Sequence, residues 1–338
     1  DRRMDKNAIK KFAVWARTEL RDRVTKKIDE YAISADADPN ADAVRGKLLT
    51  KDEKAQRAKL ITKVKEKGME QVVEEGAYTW FNRFSALRFM EVNNYLPTRV
   101  RVFTDAEGTF HPQILTEAIH LELKGLDMDK VYALKEADDK DALFKYLIIT
   151  QCNALSDVLP GMFQKIADYT ELLFPDNLLR EGSVIEKMIS DIPEDNWDVT
   201  VGGQIEILGW LYQYYISEKH ESVVDPLHGK VVAKDEVPAA TALFTTDWVV
   251  RYIIDNSVGR YWIERNPSSN LKNELNYFVA PKSGEIPIVN ESITPEQLTV
   301  FDPSMGSAHF GVYAFEVLVK IYTEYGYTER DAAASIVQ

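Results

Sequence analysis

The chain has 338 residues, 45% of them hydrophobic, enough to bury one large core or two ordinary ones. Its single cysteine, Cys152, excludes an internal disulfide framework and a clustered-cysteine zinc site, and its five scattered histidines form no spaced metal motif. The net charge of −13 argues against a surface coated for nucleic acid, yet residues 1–100 carry 22 Lys and Arg against 16 Asp and Glu, while the rest carry 19 against 38.

From Ile9 onward, Ile9, Phe12, Ala13, Ala16, Leu20, Val24, Ile28 and Tyr31 recur at steps of three and four, which predicts a helix with one apolar stripe. Lys10, Lys11, Arg17, Arg21, Arg23, Lys26 and Lys27 lie between them and predict a basic opposite face. A solvated helix face is the ordinary reading of such a pattern, and a phosphate-contacting face is the alternative. The run alternates charged and apolar residues, so it has no signal-peptide core, and no stretch of the chain approaches the roughly 18 apolar residues of a membrane span. With the lone cysteine, these features predict a soluble, cytoplasmic protein that does not engage the membrane.

"SADADPNADA" (34–43) reads as a loop or linker. A second helical block is predicted from about Asp52 to Tyr95, with Val72, Val73, Ala77, Trp80, Phe81, Phe84, Leu87 and Met90 at helical spacing. Its aromatic residues share helical faces, which favours core packing over base stacking. "RVRVFT" (99–104) reads as a short strand, and helical patterns then resume through Trp210, interrupted at Pro160, Pro175 and Pro193. Beyond His220 a loop leads to a helix capped by Thr246 or Asp247, followed by a turn-rich stretch with strand-like pieces.

The last patterned segment is "VFDPSMGSAHFGVYAFEVL" (300–318). It predicts a strand ending in Asp302, a loop of small residues and a helix bearing Phe310, Tyr313, Phe315, Val317 and Leu318. Small residues let the backbone approach a ligand, and the helix start offers unpaired N–H groups. Plain strand-to-helix turns share that spacing, so a ligand site and an ordinary turn both remain open on pattern alone.

"FDPSMGSAHF" resembles the first cofactor motif of adenine-specific DNA methyltransferases. "AYTWFNRFSALRFMEVNNYLPTRVRV", "QIEILGWLYQYY", "EVPAATALFTTDWVVRYIIDNSVGRYWIE" and "VYAFEVLVKIYTEYGYTERDAAASI" resemble successive segments of the PglX-type methyltransferases of bacterial BREX phage-defence systems. The resemblance extends over nearly the whole chain. It implies a mainly α chain: a helical N-terminal domain (1–225) leading into the truncated start of a Rossmann-like α/β class I methyltransferase domain (226–338). It implies S-adenosylmethionine as cofactor, double-stranded DNA as substrate and other phage-defence subunits as possible partners.

By the same resemblance Asp302, Pro303, Gly306, Ser307 and Ala308 map onto the cofactor loop, with Asp302 near the methionine end, and Phe244 and Thr245 map onto the motif that closes over the cofactor. Ala308 stands where the family usually has a second glycine, and Gly311 where it has a large aliphatic residue. His309 reads as a helix-start residue that packs or hydrogen-bonds locally. The family's acceptor tetrapeptide Asn-Pro-Pro-Tyr occurs nowhere in the chain. The expectation is therefore an N-terminal fragment, inactive by itself and without catalytic residues, with a helical interaction or DNA-docking module of a defence complex as the alternative.

Overall fold

The computed structural model describes residues 4–160, 162–163, 169–223, 245–306 and 308–337, the side chains of 218–223 excepted. The chain divides into two compact units, Asp1–Ala239 and Ala240–Gln338. That division, like the boundary expected at 225/226, falls outside the described residues. No helix among the described residues is long and apolar enough to cross a membrane.

The first unit is built on α1 (Lys6–Glu30), started by Asp5, whose carboxylate accepts from the N–H groups of Asn7 and Ala8. The stripe from Ile9 to Ile28 is buried as its periodicity predicts. It packs against α3 (Met69–Val92), α7 (Val184–Asp191) and α8 (Glu206–Val223). Between α1 and α2 (Lys51–Lys67) the chain forms a small antiparallel hairpin, β1 (Ala43–Val44) and β2 (Lys47–Leu48), the one sheet among the described residues. Its turn residues Arg45 and Gly46 both have positive φ, as a tight hairpin requires. The block predicted from Asp52 to Tyr95 is two helices. Gly68, at φ 86°, breaks the run in a conformation that costs glycine little.

Trp80, Phe81 and Phe84 are core residues, as expected, with Trp80 packed edge-on against Phe174 at 4.7 Å. Of three further helices, α4 (Gln113–Thr116) and α5 (Met128–Glu136) each pack against α6 (Lys140–Leu155). Pro160 and Pro175 lie between α6 and α7, and Pro193 follows α7. Each therefore sits where a missing N–H does least harm to a helix.

The strand predicted at 99–104 does not form. The N–H groups of Val102 and Phe103, which a neighbouring strand would have engaged, donate instead to Glu91 Oε2 at 2.7 and 2.8 Å. Glu91 is buried at the end of α3, and its other oxygen accepts from Arg88 at 2.6 Å. Arg88 continues to Glu194 at 2.9 Å, which also binds Arg101. Burial pushes the Glu91 carboxyl upward, against the pull of Arg88 and the two amides. At Glu194 burial also pulls upward, but Arg101 and Arg88 outweigh it and hold the carboxyl below its usual range.

The second unit is helical throughout its described elements: α9 (Asp247–Ile254), a π-helical turn (Asp255–Gly259), α10 (Arg260–Arg265), α11 (Leu271–Glu274), α12 (His309–Tyr325) and α13 (Glu329–Ile336). Thr246 is the backbone N-cap of α9, although its side chain makes no capping bond. Val250, Ile254, Trp262, Tyr313, Val317 and Ile321 are among the residues that form its core. Asp255, fully buried, accepts from the Tyr313 hydroxyl at 2.7 Å and from the Tyr277 N–H at 3.0 Å.

The strand expected to end in Asp302 is absent, as are the strand-like pieces before it. Residues 298–302 are irregular and Phe301 is 87% exposed. An isolated strand has no ladder to satisfy its N–H and C=O groups, and no described segment pairs with this one. The preceding connection is held by other means: the Val279 N–H donates to Asn256 Oδ1 at 2.9 Å, and the Val289 N–H donates to the Glu264 carbonyl at 2.8 Å. The described chain is thus mainly helical and lacks the start of a parallel sheet.

Two measurements test the buried network. Glu91→Ala, which removes the acceptor of two amides and the buried partner of Arg88 Nη1, should destabilise the first unit by about 3–5 kcal/mol in urea unfolding. Asp22→Ala, which removes an exposed partner of Lys26, should cost under about 1 kcal/mol. Because Glu194 titrates lower folded than unfolded, its contribution is fully present above the usual glutamate value of 4.5 and is lost as pH falls through the lower folded value. The stability gap between wild type and Glu194→Gln should therefore be constant near neutrality and close on acidification below about 4.5. A gap that widened on acidification would contradict the network.

Candidate functional site

The loop that enters α12 is shaped by its own short-range bonds. Asp302 Oδ1 accepts from the Ser304 N–H at 2.9 Å, an Asx-type turn that Pro303 favours. Gly306 follows at φ 52°, where a side chain's Cβ would meet the Ser304 carbonyl oxygen at 3.8 Å, an ordinary contact distance. The Ala308 N–H then donates to the Met305 carbonyl at 2.7 Å, and Ala308 itself sits at φ 62°, ψ 22°. Alanine in this left-handed conformation costs roughly 1–2 kcal/mol, a cost that glycine avoids. Its methyl side chain cannot cap the helix, and the first α12 bond to the loop is from the Val312 N–H to the Ala308 carbonyl.

The second oxygen of Asp302 stands apart from these bonds. Asp302 Oδ2 is buried and has no hydrogen-bond partner among the described residues. A buried carboxylate oxygen left without a donor is unfavourable, so this atom is suited to a cationic or N–H-bearing ligand. Met305 and Phe301 flank it in sequence and are exposed.

His309, the first residue of α12, reaches back to the start of α9: its Nδ1 lies 3.0 Å from the Thr245 carbonyl oxygen. A carbonyl has only lone pairs to offer, so Nδ1 carries the proton and donates. The bond joins residues 64 positions apart, so the local role expected for His309 is corrected to a long-range one. Gly311 is exposed and faces open space in the first turn of α12.

Of the residues singled out in the sequence, Asp302, Pro303, Gly306 and Ala308 lie in one loop, and Thr245 is brought to its exit through His309. Phe244 and Ser307 lie outside the described residues. Sequence reasoning missed Asp255 and its tie to Tyr313. Its only sequence signal is an acid five residues beyond Val250 and next to Ile254, the two residues that α9 buries. Cys152 is buried, and desolvation pushes its thiol up to about 12, which suits packing and opposes nucleophilic chemistry.

The basic face predicted for α1 is largely tied up within the first unit. Arg17 is buried and grips Glu74 through two nitrogens, each at 3.0 Å. Arg21 pairs with Glu70 and Glu74, and buried Lys27 binds Glu30 and Asp176. Arg23 and Lys26 bond to acids one turn earlier on α1 itself. Lys10 and Lys11 remain exposed. The sequence asymmetry in charge thus marks an ion-paired helix interface more than a phosphate-binding face.

No family model matches the chain. It is 36% identical over 356 aligned residues to the adenine-specific methyltransferase BrxX of Escherichia coli O9:H4 (strain HS), with 99% of the chain and 29% of that protein covered. It is 35% identical over 373 aligned residues to the adenine-specific methyltransferase PglX of Lacticaseibacillus casei (strain Zhang), with 99% of the chain and 31% of that protein covered. The chain spans about three-tenths of the length of these relatives. With both alignments running through all but 1% of the chain, it is homologous along its whole length to part of the PglX-type adenine-specific methyltransferases.

Proposed function

We propose that the chain is the N-terminal part of a site-specific DNA adenine N6-methyltransferase that uses S-adenosylmethionine and serves in phage defence. The observation that carries this reading is the loop at 302–308. Asp302 presents a buried oxygen that lacks a partner among the described residues, and the loop lies in a segment shared with proteins named as adenine-specific methyltransferases. Asp302 would hold the α-ammonium of the cofactor's methionine moiety. Gly306, at positive φ and without a side chain of its own, would let the backbone approach it, and Pro303 lies in the turn between them. Thr245, with Phe244, Ser307 and Ala308, would complete the cofactor contacts. When bound, S-adenosylmethionine supplies an electrophilic methyl group.

What these residues do is bind and orient. Holding a donor in line with an acceptor nitrogen is worth several orders of magnitude in rate, but it requires the acceptor to be held as well. A target adenine must be flipped out of double-stranded DNA and its exocyclic amine gripped. The chain contains no Asn-Pro-Pro-Tyr for that task, so we assign the acceptor site to a further segment of the longer protein. Other phage-defence subunits as partners belong to the same reading.

Two experiments test it. Highly purified chain should transfer no radiolabelled methyl group to mixed-sequence DNA above background; reproducible turnover would overturn the fragment reading. In a protein extended to the relatives' length, Asp302→Ala should weaken S-adenosylmethionine binding by about 1–3 kcal/mol, the usual cost of removing a charged hydrogen-bonding partner. Ala308→Gly should leave affinity equal or improved, because it relieves the positive-φ strain. If both variants shift only the melting temperature and bind cofactor as wild type does, the loop is structural.

A further inference from the structure

We propose that His309 is a positioning residue that locks the two cofactor-binding segments of the second unit into one register. The proposal rests on the cofactor reading above and assigns to His309 a role within it. Its basis is the bond from His309 Nδ1 to the Thr245 carbonyl, which spans 64 residues. Each end of that bond sits at a helix start that lacks a side-chain cap. Thr245 precedes α9, whose N-cap Thr246 makes no side-chain capping bond. His309 opens α12, whose N-cap Ala308 has no side-chain capping bond either and is held in a strained left-handed conformation.

Two helix starts without side-chain caps tend to fray, since the first N–H groups of each have no partner within the helix. A side chain on one start that grips the backbone of the other ties their positions together. The core supports the arrangement from the opposite side. Val250 of α9 and Val317 of α12 are fully buried in one cluster, and Tyr313 of α12 donates to Asp255 just beyond α9. With the helices packed along their length, the His309 bond sets the remaining variable, the separation of the loops at their open ends. His309 thereby fixes how far Asp302 and Gly306 stand from the segment that contains Thr245, and so the span into which the cofactor must fit.

The side-chain geometry supplies a specific test. In asparagine the amide Nδ2 falls where histidine carries Nδ1, so His309→Asn retains a donor for the Thr245 carbonyl. In glutamine the amide falls near Nε2, so His309→Gln does not. In the full-length protein, S-adenosylmethionine affinity is measured by calorimetry for wild type, His309→Ala, His309→Asn, His309→Gln and Asp302→Ala. Amide hydrogen exchange of segments 245–250 and 308–312 is followed in the same samples without cofactor. The expected result is roughly three- to tenfold weaker binding for His309→Ala and His309→Gln, the loss of one neutral hydrogen bond. Exchange should quicken in both segments together, and His309→Asn should restore both readouts.

Near-wild-type binding by His309→Ala alongside weakened binding by Asp302→Ala would overturn the positioning role and leave the cofactor site standing. Equal behaviour of the asparagine and glutamine variants would also overturn it, because any polar side chain would then serve. If wild type itself binds no cofactor, the cofactor reading fails and the positioning role fails with it. The exchange data then report separately whether the two helix starts are joined through His309. Should His309→Ala fail to fold, the asparagine and glutamine pair carries the comparison.

Discussion

The second unit depends on one buried carboxyl group. Asp255 is fully inaccessible, and a carboxyl group is tolerated in such a place only when its oxygens are engaged. Here one oxygen takes the Tyr313 hydroxyl of α12 and the other takes the backbone of Tyr277. Three segments distant in sequence are thereby held at one point: the end of α9, the connection after α11 and the first turns of α12. Burial and the Asp255 bond raise the Tyr313 hydroxyl well above its ordinary value, so it remains a donor throughout the accessible pH range. The π-helical turn that begins at Asp255 is consistent with this demand, since an extra residue in the turn re-aims the side chains around it. Gly259, at the end of that turn, completes the fit, because a side chain there would meet Leu275 at 2.5 Å.

The first unit uses a similar device. Glu91 closes the end of α3 by binding the two amides of Val102 and Phe103, which turns a segment with strand-like composition into a clasped loop. In the second unit Asp255 likewise accepts a backbone N–H from an irregular segment, that of Tyr277. Propensity describes what a segment can do in a pleated, half-buried setting, and it yields when a stronger acceptor offers its N–H groups a partner.

Helices were legible in the sequence wherever one face is continuously apolar. The stripe from Ile9 to Ile28 and the aromatic run through Trp80 and Phe84 define the core of the first unit as their spacing implies, and α12 buries Tyr313, Val317 and Leu318. The short strands were not legible. "RVRVFT" and the approach to Asp302 alternate as strands do, but a strand is a property of two segments and a single segment does not reveal its partner. The charges of α1 misled for a related reason. Arg17 and Lys27 occupy positions beside the apolar stripe, and long side chains there bury their stems and reach acids on other elements, which spacing along one helix does not disclose. At the candidate site, the loop residues were legible as a contiguous motif, whereas the His309 bond to Thr245 joins two segments that only the fold brings together.

The positive φ of Ala308 connects the sequence departure to the physical site. The resemblance places a glycine at this position in other members, and the backbone here adopts the conformation for which glycine is the unstrained choice. The loop therefore follows a course for which glycine, and not the alanine present, is the inexpensive residue. Such strain persists only where surrounding bonds over-determine the backbone. On one side of Ala308 its N–H is bound by the Met305 carbonyl, and on the other its carbonyl receives the first α12 bond, from Val312. His309 adds the third constraint through Thr245. Bonds to the loop, the helix and the start of α9 thus converge within two residues of the strained position. That convergence explains how an alanine is accommodated there, and why the conformation of the loop is inseparable from the position of the α9 start.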